Sequence, residues 1–299
     1  MKVADCVLAD VVLPDARYEG MWESIVAAEP TKERLLRQVL LGLRLRQDLP
    51  FAVTALHGLV LMYGPPGTGK MTLGRGVAVQ VARMVPGERA RLVEIDPHGL
   101  MSAEHGQSQQ RVTELLVEYV PLLADDGMPT VVLLDEVESM AVARSAASLS
   151  ANPADVHRAT DAVLTAMDRL TLEHPHVITV ATSNFVGSLD EAFRSRADAA
   201  IEVPLPSVTA ITQILRHVLH EFGAAYPGIG HLAEDARVER LAAKMAGLDG
   251  RRVRKVITEA LARRTDTVLD PSALTMADLM AAASDATIAQ TEASVRAAV

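Results

Sequence analysis

A single cysteine, Cys6, occurs in the 299 residues, so the chain can close no internal disulfide and build no cysteine-ligated metal site, as suits a reducing compartment. Aromatic residues are only 3% of the total, which leaves Leu, Val, Ala and Met to fill the interior. No apolar run approaches the roughly 18 residues needed to cross a bilayer. The opening Met1-Lys2-Val3-Ala4-Asp5 also lacks a basic region followed by an apolar stretch, so the expected location is the cytoplasm with no membrane association. Basic side chains are the minority, 29 against 38 acidic, and the net charge of -9 repels a phosphate backbone at long range. General nucleic-acid binding is therefore not expected.

What is present describes a globular α/β protein. Hydrophobic residues make up 49% of the chain, and the length suits two domains. Residues 31 to 46 place Leu35, Leu36, Val39, Leu40 and Leu43 on one helical face with arginines opposite. The run Leu59 to Tyr63 reads as a buried strand. After a glycine-rich turn, Leu73, Val77, Val81 and Met84 recur at helical spacing until Pro86-Gly87. Strands at 92–95, 131–134, 177–181 and 201–203 alternate with helices at 108–123 and 155–170, a pattern that predicts a parallel sheet covered on both faces. Beyond Pro204-Leu205-Pro206-Ser207 only helical patterns remain, at 211–222, 234–246, 251–264 and 277–298. The expected organisation is a short N-terminal segment (1–30), an α/β domain (31–206) and a small helical domain (207–299).

The turn between the first strand and its helix is Gly64-Pro65-Pro66-Gly67-Thr68-Gly69-Lys70. The bare pattern Gly-x4-Gly-Lys arises by chance in roughly one chain in ten of this length, so its setting decides. Here an apolar strand precedes it and an amphipathic helix follows, the arrangement of a phosphate cradle. Glycines let backbone N–H groups converge on the phosphates, the helix N-terminus adds partial positive charge, and Lys70 reaches the β- and γ-phosphates of ATP. The next residue departs from the pattern. A Ser or Thr hydroxyl there would ligate Mg²⁺, but the chain has Met71 followed by Thr72, which a helix turns about 100° away. Either water fills the metal position at some cost in rate, or the chain binds nucleotide and turns over poorly.

Val131 to Leu134 run into Asp135 and Glu136, two carboxylates at the end of a buried strand. Asp135 is placed to hold Mg²⁺ directly or through water, and Glu136 to polarise the attacking water. The strand 177–181 ends at Thr182-Ser183-Asn184. Asn184 lies at a carboxyl strand end, where ligands gather in parallel sheets, and could reach the γ-phosphate or its attacking water.

Taken together, GPPGTGK, LLDEVES, ATSN and AFRSRAD resemble the AAA+ ATPases in order and spacing. The finer wording is similar to the pachytene-checkpoint ATPases that remodel HORMA-domain proteins. The matching stretches are YEGMWESIV (18–26), DEVESMAVARSAA (135–147), NPADVHRATDAVLTAMDRL (152–170), TSNFVGSLDEAFRSRAD (182–198) and GLDGRRVRK (247–255). The resemblance implies a P-loop AAA+ sheet flanked by helices with an all-helical C-terminal lid. It implies that Arg196, with Arg194 as the nearby competitor, is an arginine finger acting on the ATP of a neighbouring subunit, and hence a homo-hexamer. It implies that Arg251 is a second sensor reading the bound nucleotide. The family's substrate-facing loop aligns with Met101 to Gln107, where Glu104 and His105, or Met101, would grip a peptide in place of the usual bulky residues.

Only 63 residues precede Gly64, fewer than the family's substrate-gripping N-terminal domain needs; short bacterial relatives sit beside HORMA proteins that activate a nucleotidyltransferase in anti-phage signalling. The implied function is an ATP-driven remodeller that opens its HORMA partner and switches that signal off. A nucleotide-dependent binding protein is the alternative that Met71 supports. A nucleic-acid motor is disfavoured by the charge.

Overall fold

A computed structural model describes residues 3–26, 29–100, 107–142 and 153–297. The chain divides into two units, one of residues 1–25, 29–64 and 70–203, the other of 26–28, 65–69 and 204–299.

The first unit is built on a six-stranded sheet ordered β1-β3-β4-β5-β2-β6. Its strands are β1 (Val7–Leu13), β2 (Leu59–Tyr63), β3 (Ala90–Ile95), β4 (Thr130–Leu134), β5 (Val177–Ser183) and β6 (Ala199–Glu202). The five strands expected from the alternation are all present and pair in parallel. The sheet is nevertheless not wholly parallel, because β1 adds to β3 as an antiparallel edge, with Val11 opposite Leu92. This strand lies in the stretch read from sequence only as a short N-terminal segment. Its burial alternates from residue to residue although six of its seven residues are apolar, and its exposed Asp10 is held by Arg91 of β3 at 2.8 Å.

Strand residues of opposite parity feed two separate cores, as a pleated sheet covered on both faces requires. Leu59, Leu61, Val93, Ile95, Val132 and Leu134 face Leu115, Leu116, Val163 and Met167. Those partners belong to the helical run that opens with α3 (Gln107–Thr113) and to α4 (Pro153–Glu173). Val60, Met62, Leu92, Val131, Leu133 and Ile178 face Leu35, Val39, Leu43, Leu73, Val77 and Val81 of α1 (Glu29–Asp48) and α2 (Lys70–Met84). The helix expected over 108–123 is interrupted by a π-helical turn, Glu114–Tyr119. Pro121, with no N–H to offer the carbonyl of Val117, lies just beyond it.

One buried and one half-buried charge secure the end of the sheet opposite the glycine-rich turn. Arg46 was expected on the solvent face of α1, but it is buried and donates to the carbonyls of Val177, Leu170, Thr171 and His174. It thereby closes the C-terminus of α4 on the start of β5, and burial pushes its guanidinium down to about 10. Asp198 accepts N–H groups of His57, Gly58 and Leu59 at 2.8, 2.7 and 3.2 Å, which latches the entry of β6 to that of β2. Burial still pushes its carboxyl up, against the pull of those three donors.

The second unit is helical. Its main elements are α5 (Val208–Ala225), α6 (Arg237–Lys244), α7 (Gly250–Leu261) and α8 (Met276–Ala297), packed around Ile211, Leu215, Leu241, Val253, Ile257 and Leu279. Ser207 caps α5 through the Ala210 N–H, and Asp249 caps α7 through the N–H groups of Arg251 and Arg252.

Candidate nucleotide site

The carboxyl ends of β2, β4 and β5 bring the predicted chemical residues together. This follows from strand order, since β4 and β5 are neighbours and β5 pairs with β2. Gly64 leaves β2 at φ 146°, and a Cβ there would stand 2.2 Å from the Val203 carbonyl oxygen, so no other residue fits the turn. Gly67 and Gly69 are also left-handed, at φ 78° and 89°. The loop then enters α2 at Lys70, whose side chain is buried. Its Nζ donates to Gly64 O and to Asn184 Oδ1, each at 2.8 Å. Burial pulls this ammonium below its ordinary value, opposed by the carboxylates of Asp135, Glu138 and Glu136.

Asn184 is the centre of the arrangement. Its Oδ1 accepts from Lys70, and its Nδ2 donates to Glu136 Oε1 at 2.9 Å, the only amide orientation that suits a cation on one side and a carboxylate on the other. Its backbone N–H is held by Glu138 Oε1 at 2.9 Å. One residue earlier in β4's exit, Asp135 accepts a short hydrogen bond from the Thr182 hydroxyl. The Thr182 oxygen in turn accepts the Glu136 N–H at 3.1 Å. Glu136 itself is left-handed, with φ 48°, an uncommon backbone state for a residue with a Cβ and one concentrated at functional sites.

These groups fit a nucleoside triphosphate with Mg²⁺. A buried ammonium sits beside a glycine cradle, three carboxylates converge on it, and Glu138 Oε2 is buried with no hydrogen-bond partner among the described residues. No cluster of three metal-ligating side chains exists among the described residues. Met71 packs its side chain into the hydrophobic layer around Val60 and Leu73, and Thr72 follows it, half-buried, along the helix.

Other predicted residues stand outside the cluster. Arg196 ends the short helix Glu191–Ser195, and its guanidinium forms a bidentate pair with Asp168 of α4, at 2.7 and 2.8 Å, plus a bond to Ala192 O. Arg194 on the same turn is exposed. In the second unit, Arg251 begins α7 with its side chain exposed and its N–H 3.4 Å from Gly67 O; the loop residues Pro65, Pro66, Gly67, Thr68 and Gly69 group with this unit. Met101, Glu104 and His105 lie outside the described residues.

Sequence reasoning did not single out Thr182, Glu138, Asp168 or His98, although the structure gives each a polar contact with a predicted site residue. Thr182, Glu138 and Asp168 stood inside quoted motifs, which was the available signal.

The sequence model for the ATPase family associated with various cellular activities (AAA) matches residues 60–205. The chain is 44% identical over 270 residues to CD-NTase-associated protein 6 of Pseudomonas aeruginosa, covering 90% of this chain and 88% of that one. It is 34% identical over 213 residues to the pachytene checkpoint protein 2 homolog of Arabidopsis thaliana, covering 70% of this chain but only 45% of that longer protein. Among solved structures, C. elegans PCH-2 superposes with a TM-score of 0.74 at 23% identity, over 96% of this chain and 77% of that one. A chain of the E. coli MS115-1 HORMA:CdnC:Trip13 complex superposes with a TM-score of 0.72 at 18% identity, over 95% and 96%. Both likenesses establish the fold.

Proposed function

Because the chain belongs to the AAA ATPase family, in the group of CD-NTase-associated protein 6 and the pachytene checkpoint protein 2 homologues, we propose that it is a hexameric, cytoplasmic, ATP-driven remodeller of a HORMA-domain protein. The observation that carries the enzymatic half is the Asn184 amide joining Lys70 to Glu136. It links the group that binds the terminal phosphate to the group that activates water.

Lys70 and the loop N–H groups hold the triphosphate, and Mg²⁺, when bound, neutralises phosphate charge, with Asp135 the residue to hold it. Glu136 accepts a hydrogen bond from the attacking water and aligns it in line with the leaving oxygen. Asn184 keeps that carboxylate in register with Lys70. Arg196 from a neighbouring copy supplies positive charge as the terminal phosphate separates, and Arg251 reports nucleotide state to the helical unit. The likeness to CD-NTase-associated protein 6 supports a role beside a nucleotidyltransferase. There, removal of the HORMA protein would switch off anti-phage signalling.

Met71 favours a second reading, a nucleotide-dependent binding protein with little turnover. Steady-state ATP hydrolysis by the chain and by Glu136→Gln, each with and without a HORMA-domain protein, separates the two. The remodeller is expected to lose at least ~100-fold in kcat on this substitution while still binding ATP. Equal rates for both chains would establish the binding protein instead.

A further inference from the structure

Glu136 is approached from a second side by a residue that the reading above leaves unused. The strand β3 lies next to β4, and its exit runs Asp96-Pro97-His98 into the short turn Pro97–Leu100. That turn is anchored at both ends: the Asp96 N–H donates to Cys6 O at 2.9 Å, and Leu100 is fully buried. Asp96 Oδ1 accepts the His98 backbone N–H at 3.0 Å and lies 3.3 Å from ring Nδ1. The far ring nitrogen, Nε2, stands 3.5 Å from Glu136 Oε2. Asn184 meanwhile holds the other oxygen, Oε1. The two oxygens of one carboxylate are thus faced from the two strands flanking β4, Oε1 by a hydrogen bond from Asn184 and Oε2 by a longer polar contact with His98.

We propose that His98, oriented by Asp96, is a positioning residue for ATP hydrolysis, which fixes the plane of the Glu136 carboxylate from the side opposite Asn184. The inference rests on Glu136 being the water-activating group. A carboxylate held at one oxygen can still swing about that bond, and a glutamate carries three rotatable side-chain bonds above an already unusual backbone. A second polar group at Oε2 narrows that freedom, so that the lone pair aimed at water keeps one preferred direction. Misplacement of a catalytic group by about 1 Å is enough to cost on the order of 100-fold. Because the contacts of His98 run to Asp96 and Glu136, its loss should fall on kcat and spare nucleotide affinity.

The test is the ATPase kinetics of the full chain carrying His98→Ala, His98→Gln or His98→Asn, with ATP affinity and melting temperature measured alongside. Gln places an amide N–H where Nε2 was, within reach of Glu136, whereas Asn spans only to Asp96. His98→Ala is expected to lower kcat by about tenfold with KM and affinity changed less than about twofold, Gln to restore most of the rate, and Asn not to. The side chain is 57% exposed, so melting should hardly move. An unchanged kcat in His98→Ala, a change confined to KM, or rescue by Asn as full as that by Gln would overturn the proposal. If wild type turns over and Glu136→Gln does not while His98→Ala keeps its rate, this inference fails alone. If wild type shows no turnover, the remodeller reading fails and this one with it.

Discussion

At the scale of single residues, the departures from a standard phosphate site are as informative as the matches. Met71 puts a thioether in the hydrophobic layer at the position where a hydroxyl would meet the metal ion. Restoring the hydroxyl with Met71→Thr is expected to raise kcat by about 3- to 30-fold and to lower the Mg²⁺ concentration giving half-maximal rate, read by titrating Mg²⁺ at saturating ATP. No change in either quantity would mean that water serves the ion equally well. Gly64 is the opposite case, a residue with no permitted alternative. Its φ of 146° and the 2.2 Å approach to Val203 O predict that Gly64→Ala destabilises the chain by about 3 kcal/mol in urea unfolding.

At the scale of elements, the short helix Glu191–Ser195 is fastened to α4 by the Arg196–Asp168 pair. The Arg196 side-chain hydrogen bond holds the Asp168 carboxyl below its ordinary value of 3.8, more than burial raises it. A carboxylate whose folded value is depressed adds stability that is present above 3.8 and is lost as the pH falls through the lower folded value. Asp168 is 45% exposed, so solvent screening keeps the contribution to no more than about 1 kcal/mol. Asp168→Asn should therefore melt slightly below wild type at neutral pH, and the gap should close on acidification below 3.8. A gap independent of pH would assign the effect to packing. The larger helices, and every strand except β1, were legible from apolar periodicity. The edge strand was not, since a short apolar run with an aspartate in it shows no clear hydropathy alternation and gains its stability from pairing with β3 and from the burial of Val11 and Leu13. Arg46 was misplaced for a related reason: helical periodicity puts it with the other arginines, and only the packing of α4 supplies carbonyls to receive it.

At the scale of the whole molecule, the proposed ring makes a prediction that no single chain can satisfy. If Arg196 acts on a neighbour's nucleotide, Arg196→Ala and Glu136→Gln chains should each be nearly inactive alone, and a mixture should recover a measurable fraction of wild-type turnover. In such a ring some sites combine an intact Glu136 with an intact Arg196 from the next copy. A mixture no more active than its components would return Arg196 to a purely structural role with Asp168 and leave the exposed Arg194 as the residue to test.

The sequence alone determined the class of the protein, because the features that define it are local. A glycine turn between strand and helix, two carboxylates at the end of an apolar strand, and a closing run of helices are all readable within windows of a few residues. It marked which residues to expect at the site for the same reason. Only the tertiary structure decided how they are joined. Lys70 and Asn184 are 114 positions apart, Asn184 and Glu136 are 48 apart, and what makes them neighbours is the strand order β3-β4-β5-β2. That order also brings His98 to one side of Glu136 and Asn184 to the other. Strand adjacency is settled by which faces bury together, a property of the assembled sheet that no stretch of the chain carries by itself.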